Sequence, residues 1–313
     1  MKKVTIVPYD PRWPLQFKAE AELLRHALGT HCYTVHHIGS TAVPELSAKP
    51  IIDILCVIDE LPISLVLVHY DYYFKGEVNV PLRYYFSKKS PELAVNLHVV
   101  EPDNGFIALN LAFRDYLRTH EDVRTTYEIL KLNISQDPYA GNFVNGLPKY
   151  TLEKNAFVKD ILYESGFNGI VINFCTHYRE WQEYHRIAKE QLFDPYERIY
   201  ELNDAIPFDI NHYYFVLYVG TMIVTIAHVQ FLDDTQAALR KLATDEPYKG
   251  KGYGKQMLRC IEKWLRYKNY KTIKLHSSLR AAPFYRSLGY VGTIFDDEPS
   301  IELECVDLGK ELL

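Results

Sequence analysis

Residues 248–255 read YKGKGYGK, so three glycines and three lysines share eight positions. The stretch follows an apolar segment at 237–244, predicted as a strand, and precedes a helical pattern that begins at Lys255. Glycine lets a backbone come close to a ligand, and the N–H groups at the start of a helix attract anions. The stretch therefore predicts a phosphate-binding loop, and the kind of phosphate decides the fold of this half of the chain.

Two common phosphate-binding patterns do not fit this loop. A magnesium-nucleotide loop needs Ser or Thr directly after Gly-Lys, and this chain has Gln256 there. A dinucleotide loop counted from Gly252 and Gly254 needs a third glycine at 257, and that position is Met257. Two interpretations remain: a pyrophosphate held by backbone N–H groups, and an ordinary glycine-rich turn between a strand and a helix.

Length and composition bound the class of protein. The chain has 313 residues, of which 48% are hydrophobic and 24% are charged, as expected for a soluble globular protein of two ordinary domains. A net charge of −5 argues against a partner bound through a broad basic surface, so nucleic acid is not expected. Five dispersed cysteines indicate reduced thiols in a cytoplasmic protein, and they predict neither a disulfide frame nor a metal site.

No membrane segment or signal peptide is expected. The apolar run after the first two lysines is interrupted by Pro8 and Asp10. The apolar stretch at 213–232 is long enough to span a bilayer, but Gly220 is a turn signal in its middle and His228 would be costly in lipid. This stretch is therefore predicted as a β-hairpin of two buried strands.

A short segment with two glycines, 165–169, divides the pattern of predicted elements. Residues 1–166 are predicted as one α+β or mixed α/β domain, and residues 167–313 as a second one. The predicted elements are a helix at 14–28, strands at 32–38, 51–58, 82–86 and 95–100, helices at 106–134 and 152–166, a strand at 170–174, a helix at 178–192, the hairpin, a strand at 237–244, a helix at 255–268, a strand at 271–277, a helix at 281–289, and strands at 290–295 and 300–306.

Two motifs of the second domain resemble the GCN5-related N-acetyltransferase (GNAT) family. Residues 249–254 stand where this family has [QR]-x-x-G-x-[GA] between a strand and a helix, and residues 281–290 match A-x-x-F-Y-x-x-L-G-[YF]. The resemblance extends over residues 168–313 and implies a GNAT acyltransferase fold, with a mixed, mostly antiparallel sheet flanked by helices. It also implies acetyl-CoA as the cosubstrate. The implied contacts with acetyl-CoA are Leu242, Ala243, Thr244, Lys249, Gly250, Lys251, Gly252, Tyr253, Gly254, Lys255, Ser278 and Ala281.

The same resemblance assigns chemistry to particular side chains. Tyr285 matches the tyrosine that protonates the leaving thiolate in many members, and an ordinary tyrosine pKa near ~10 keeps the phenol protonated. Glu246 follows the cofactor strand and is the candidate base for the acceptor amine, with Asp245 as its neighbour. Each also has a structural alternative, a packed ring for Tyr285 and a solvated turn for the acids. The acceptor is expected to be a small-molecule or peptide amine.

The first domain resembles the GrpB family, a branch of the nucleotidyltransferase superfamily. YDPRWPLQF (9–17), HHIGSTAVPELSAKPIIDILCVI (36–58) and FRDYLRTH (113–120) carry a resemblance that extends over residues 4–164. In nucleotidyltransferases a Gly-Ser turn holds the triphosphate and carboxylates hold two magnesium ions. The cleft residues implied in this nucleotidyltransferase-like domain are Gly39, Ser40, Lys49, Asp53, Arg83 and His98.

This cleft lacks other parts of a two-metal site. Asp53 is followed by Ile54 and Leu55, so the second carboxylate of D-x-D is missing. Asn96 and His98 stand in the strand where a third acid is expected. Nucleotidyl transfer is therefore not supported, and no metal is assigned.

The leading hypothesis is an acetyl-CoA-dependent N-acetyltransferase whose GrpB-like domain recognises the acceptor or regulates transfer. Two alternatives remain open. One is nucleotide binding or processing through Gly39, Ser40 and Asp53, and the other is a C-terminal domain that binds CoA as a sensor without catalysis.

Overall fold

A computed structural model describes residues 3–91, 93–144, 147–201, 210–297 and 304–312. The chain divides into two compact units, Met1–Val171 and Ile172–Leu313. Within the described ranges, every helix is too short or too polar to cross a lipid bilayer.

The first unit combines one mixed sheet with helices. Its elements are α1 (Trp13–Leu28), β1 (Cys32–Ile38), β2 (Ile52–Ile58), β3 (Tyr73–Phe74), β4 (Arg83–Lys89), β5 (Ala94–Val100), α2 (Gly105–Thr119), α3 (Glu121–Ser135), β6 (Phe143–Val144), β7 (Leu147–Pro148), α4 (Lys149–Glu153) and α5 (Asn155–Glu164). Among the described residues the sheet has the order β1-β2-β5-β4-β3. β2 and β5 run parallel, whereas the other neighbours are antiparallel.

Apolar side chains from the turn after β1 and from three helices form a core of this unit. Val43 and Leu46 lie against Leu117 of α2, Tyr127 of α3 and Ile161 of α5, and all are buried. Burying a side chain of this size stabilises the fold by about 1.5–3 kcal/mol. This cluster therefore holds the turn that follows β1 in a fixed position.

The second unit is built on a longer sheet. Its first strand, β8 (Ile170–Phe174), begins two residues before the division between the units. The other elements are α6 (Tyr178–Ala188), β9 (His212–Val219), β10 (Met222–Phe231), β11 (Gln236–Thr244), α7 (Tyr253–Tyr267), β12 (Thr272–Ser278), α8 (Ala282–Arg286), β13 (Val291–Gly292) and β14 (Cys305–Glu311). In the described part of the chain the sheet order is β13-β14-β12-β11-β10-β9-β8. β11 and β12 are parallel, and the pairs β9–β10, β10–β11, β12–β14 and β13–β14 are antiparallel. The predicted fold class, including the hairpin of β9 and β10, is confirmed.

Helix α7 supplies the centre of the second core. Its apolar residues recur on one face, and the Trp264 ring is fully buried. This ring lies with its centroid 4.8 Å from Tyr213, 5.2 Å from Phe215 and 5.5 Å from Phe231. The aromatic cluster therefore fixes α7 against β9 and β10.

One predicted helix is wrong in its extent. The helix predicted at 106–134 is two helices, because His120 has an extended backbone with φ −123° and ψ 93°. The Thr119 hydroxyl donates to the carbonyl of Asp115, and the His120 ring stacks on Tyr116 at 3.8 Å. Such side chain–backbone bonds compete with the helix, and apolar periodicity does not reveal them.

Other predicted boundaries also change. The α-helix predicted at 178–192 ends at Ala188 and continues as a π-turn over Lys189–Phe193, while the helix predicted at 281–289 is limited to α8. The strand predicted at 290–295 shortens to β13. Residues 300–303 of the last predicted strand lie outside the described residues, and β14 begins at Cys305.

Trp264→Ala tests the aromatic cluster. We expect the free energy of unfolding of the C-terminal unit to fall by about 3–5 kcal/mol, because a large buried ring is removed. Tyr178→Ala is the matched control, since this helical tyrosine is 72% exposed and its loss should change stability by less than ~0.5 kcal/mol. Urea titration followed by circular dichroism measures both, and equal losses in the two variants would contradict the prediction.

Candidate functional site

The strands β11 and β12 part after a short parallel contact. The register joins residues 236–238 to residues 272–274, whereas β10 follows β11 as far as Thr244 and β14 follows β12 as far as Ser278. Between His228 and Val229 the register shifts and leaves Arg240 unopposed, a bulge that bends the strand. Backbone N–H and C=O groups that border the resulting gap need hydrogen-bond partners. The gap is therefore a place where a ligand with amide groups can pair with the protein.

The glycine loop begins beyond the end of β11. Gly250 and Gly252 have φ values of +76° and +87°, and a Cβ at either position would meet no atom within 4 Å. Glycine is needed there for the backbone conformation, and the space in front of the loop is open. In the described chain no side chain caps α7, which begins at Tyr253 and has no acid in its first turn. The first N–H groups of α7 are therefore available to an anion.

A cavity of about 130 Å³ lies where the two strands part. It is lined by three groups of residues, which come from the segment after α6, from β11, and from β12 with the elements that follow it. They are Gln191, Leu192, Tyr196, Leu239, Arg240, Lys241, Leu242, His276, Ser277, Ser278, Ala281, Tyr285 and Cys305. The structure thus brings together four of the predicted site residues, namely Leu242, Ser278, Ala281 and Tyr285.

Tyr285 is buried within this lining. Its ring packs edge-on against Phe284 and Tyr290, with centroids 5.0 and 5.7 Å away. Burial raises the pKa of the Tyr285 phenol, because the charged phenolate is poorly solvated there. The hydroxyl is therefore protonated at neutral pH and is able to donate.

The acids that follow β11 do not line the cavity. Glu246 is 72% exposed at its side chain and forms an ion pair with Lys249. Asp245 accepts hydrogen bonds from Arg186, at 2.9 Å, and from the Glu246 backbone N–H, at 3.0 Å. Both acids therefore organise the turn over Glu246–Tyr248, and the geometry does not support Glu246 as the base.

A histidine that the sequence did not single out faces the cavity. His276 Nδ1 donates to Asp307 Oδ1 at 2.8 Å across the β12–β14 pair. The His276 side chain is 10% exposed, and its buried Nε2 has no hydrogen-bond partner among the described residues. The ring stacks on Phe295 with a centroid distance of 4.5 Å. Period-two alternation places His276 on the same face of β12 as Ser278, and this was the one signal in the sequence that could have identified it.

In the first unit, Gly39 packs directly against Asp53. A Cβ at position 39 would lie 2.4 Å from Asp53 Oδ2, and φ at this glycine is +68°. Asp53 Oδ1 accepts a hydrogen bond from Asn96 Nδ2 at 2.8 Å, and Asn96 Oδ1 accepts one from the Tyr85 hydroxyl at 2.7 Å. Asn96, which stands in the strand where a third acid was expected, therefore holds the carboxylate in place.

Cations gather around Asp53. The Nζ atoms of Lys49 and Lys154 lie 4.6 and 4.5 Å from the centre of the Tyr150 ring. Burial lowers the pKa of Lys154 to about 8, although the negative charge of Asp53 acts to raise it. Burial also lowers the pKa of Lys131 to about 7, and the positive charge of Lys154 lowers it further. Burial raises the pKa of Asp53, whereas the Asn96 hydrogen bond and the charges of Lys49 and Lys154 oppose this shift. Among the described residues, Asp53 belongs to no group of three His, Cys, Asp or Glu side chains that could share a metal ion.

The remaining predicted cleft residues have different surroundings. Ser40 opens the turn Ser40–Ala42 beside Tyr127 of α3. Arg83 is buried. Its Nη1 lies 2.9 Å from His98 Nδ1, and its Nη2 donates to the Glu77 carbonyl at 2.7 Å. Burial and the Arg83 charge hold the pKa of His98 well below its usual value, so His98 is neutral. Arg83 and His98 therefore form a buried pair further along β5.

Comparison with known families agrees with this division. The family model described as GrpB protein matches residues 3–164, which is more than half of the chain. The model described as acetyltransferase (GNAT) domain matches residues 210–292. This second match spans β9 to β13 and includes the glycine loop, His276 and Tyr285.

Individual proteins resemble one part of the chain each. YqkA of Bacillus subtilis is 34% identical over 166 residues, which is 50% of this chain and 48% of YqkA, so the chain spans about half the length of that relative. The crystal structure of GrpB from Enterococcus faecalis is 36% identical, with a TM-score of 0.45, and covers 51% of this chain and 96% of that protein. An acetyltransferase from Streptococcus agalactiae is 18% identical, with a TM-score of 0.39, and covers 47% of this chain and all of that protein. The chain belongs to the GrpB family, and it carries a GNAT acetyltransferase domain over residues 210–292.

Proposed function

We propose that the C-terminal unit transfers an acetyl group from acetyl-CoA to the nitrogen of a small-molecule or peptide amine. The observation that carries this proposal is the gap between β11 and β12, which leads at one end into the glycine loop and contains Tyr285 in its lining. One substrate with an acetyl group, amide groups and a pyrophosphate can use all three features. We infer that Tyr285 protonates the thiolate that leaves.

The contacts along this substrate follow from the fold. The backbone of residues 242–244 would pair with the amide groups of the pantetheine arm. The open space before Gly250 and Gly252 would admit the pyrophosphate, with Lys249, Lys251 and Lys255 at its rim. Ser278 and Ala281 would contact the thioester end, because both line the cavity near Tyr285.

A second cavity extends the basic surface beside the loop. It has a volume of about 250 Å³ and is lined in part by Lys255, Arg259 and Lys310. Lys310 also pairs with Glu262 at 2.7 Å. The remaining positive charge supports binding of a further phosphate of coenzyme A at this side of α7.

The amine would enter from the other side of the cavity. Gln191, Leu192 and Tyr196 belong to the segment after α6 and also line the cavity. They supply an apolar wall with two polar groups, which suits an aliphatic amine.

The N-terminal unit has a second candidate function, the binding of a phosphate-bearing ligand without a metal ion. Lys49 and Lys154 act on the single carboxylate of Asp53, and Lys131 adds its charge beside Lys154, which reverses the charge balance of a two-metal site. The pKa values of Lys131 and Lys154 are lowered because burial removes water from their charged forms, and the nearby acids Glu128 and Asp53 offset this only in part. An anionic ligand would supply a further counter-ion and could couple ligand binding to recognition of the acceptor or to regulation.

Calorimetric titration with acetyl-CoA tests the proposed transferase site. Gly254→Glu should raise the Kd at least tenfold, about 1.4 kcal/mol, because it places a carboxylate beside the pyrophosphate. A Cβ at 254 meets Thr244 Oγ1 and Phe284 at ordinary contact distances of 3.6 and 3.7 Å, so the fold should accept the change. Gly292→Glu adds the same charge on β13, where a Cβ meets nothing within 4 Å, and should leave the Kd unchanged. Equal Kd values for wild type and Gly254→Glu would refute the site.

Thiol release from acetyl-CoA with methylamine separates an enzyme from a sensor. Tyr285→Phe should lower the rate of release at least ~100-fold, since a general acid typically contributes 10²–10⁴-fold. The Kd for acetyl-CoA should change less than threefold. A wild type that binds acetyl-CoA and releases no thiol would identify a sensor instead.

Titration of the full chain with inorganic triphosphate tests the N-terminal site. Lys154→Met should weaken binding about 10–100-fold, because a charge-assisted hydrogen bond is lost. At pH 8 binding should take up protons, since the lysines with pKa values of about 7 and 8 are partly neutral and an anion favours their charged forms. The dependence of the binding heat on buffer ionisation measures this uptake. Lys18→Met, at an exposed lysine of α1, is the control, and binding that requires magnesium would contradict the metal-free site.

A further inference from the structure

We propose that His276, oriented by Asp307, is the general base that takes a proton from the acceptor amine. The proposal rests on the acetyl-transfer function proposed above and supplies the base that this function needs. An amine nitrogen must lose a proton when it becomes an amide, and Glu246 and Asp245 are held in the turn after β11.

The position of His276 is set by the register of β12. β12 follows β14 from Thr272–Glu311 to Ser278–Cys305, while its contact with β11 ends at Lys274. His276 therefore lies beyond the point where the strands part, and its side chain lines the same cavity as Tyr285. Two groups with opposite tasks, one taking a proton and one giving a proton, thus border one space.

Hydrogen bonding decides which nitrogen of His276 is basic. The Asp307 carboxylate accepts at 2.8 Å, so the hydrogen of a neutral imidazole resides on Nδ1. Nε2 then carries the lone pair, and this buried atom has no partner among the residues that the structure describes. A buried polar atom without a partner costs free energy, so an amine that hydrogen-bonds there gains binding as well as a base. Stacking on Phe295 holds the plane of the ring.

The other groups around the cavity have less suitable chemistry or existing partners. The titratable side chains that line it beside His276 are Tyr196, Arg240, Lys241, Tyr285 and Cys305. Arg240 pairs with Asp297 and donates to Gln230, and Lys241 lies over the rings of Phe193 and Tyr200. A guanidinium or ammonium group offers hydrogen-bond donors and no acceptor, so neither side chain suits the role of a base. The Tyr285 phenol is protonated and serves as the acid.

The proton balance closes with these two side chains. The neutral amine nitrogen bonds to the acetyl carbonyl carbon and gives one proton to His276 Nε2. The carbon–sulfur bond of the thioester breaks, and the thiolate takes the hydroxyl proton of Tyr285. The imidazolium then returns its proton through solvent to the tyrosinate, so both side chains regain their starting states. An amine that arrives protonated releases one further proton to solvent.

The test uses two variants of the full chain, with methylamine as the acceptor probe. His276→Asn retains an N–H that can donate to Asp307 and removes the base. It should lower kcat for thiol release at least ~100-fold, as expected for loss of a general base, and leave the Kd for acetyl-CoA within threefold. His276→Ala should be slow as well. Added imidazole should raise the rate of this variant at least tenfold, because the small ring replaces the missing side chain.

Matched controls separate a base from a structural histidine. His26→Asn, at an exposed position of α1, should leave the rate unchanged, and imidazole should not accelerate the wild type. A His276→Asn variant that keeps its rate within fivefold overturns the proposal. So does a His276→Ala variant that is slow and does not respond to imidazole.

Measurements on the wild type separate failure of the proposed acetyl transfer from failure of the role proposed for His276. A wild type that does not bind acetyl-CoA, or that binds it and releases no thiol with methylamine, removes the proposed function itself. A wild type that releases thiol no more than fivefold faster than His276→Asn overturns the role of His276 alone. The donor atoms of His276, Cys305 and Asp307 lie within 4.8 Å of one another. Wild-type turnover that is abolished by a chelator and restored by zinc would therefore replace the proposed base with a metal-dependent step.

Discussion

The C-terminal unit depends on one constraint, the inclusion of a parallel strand pair in an otherwise antiparallel set of contacts. β11 and β12 are joined through α7, which returns the chain so that both strands end at the same edge of the sheet. The glycine loop follows the end of β11, and α8 with Tyr285 follows the end of β12. Because the two strands also diverge towards that edge, their ends border a cavity. The residues proposed to hold the pantetheine arm and to move protons therefore lie on, or soon after, these two strand ends or on the strand next to them, whereas the proposed amine side is lined by the segment after α6.

Features encoded by neighbouring residues could be predicted from the sequence, and features that depend on register could not. The glycine loop and the motif around Tyr285 are continuous stretches, and the structure places both beside the gap. The break at His120 depends on side chain–backbone bonds that periodicity does not record. His276 and Asp307 are neighbours through the β12–β14 register and lie in separate stretches of sequence. Proximity in sequence to the cofactor strand indicates Glu246 as the base, whereas in the structure its exposed side chain pairs with Lys249.

In the N-terminal unit, too, only some of the charged groups in the cleft could be predicted from the sequence. The Gly-Ser turn and Asp53 could be found by their resemblance to a known pattern. Lys131 lies on α3 and Lys154 lies between α4 and α5, both far along the chain. These lysines are held near aromatic rings, which compensate in part for lost hydration. In the proposed site, the surplus of lysine charge around a single carboxylate favours an anion over a divalent cation. The missing acid of D-x-D therefore changes the type of ligand that the cleft suits.

The close approach of Gly39 to Asp53 restricts the order in which substitutions can accumulate in such a cleft. While the aspartate is present, any side chain at position 39 collides with Oδ2, and the backbone conformation adds strain. If residue 53 is replaced first by a shorter residue, the collision disappears. Only the backbone strain then opposes a side chain at position 39. Loss of the carboxylate would thus precede loss of the glycine along a mutational path.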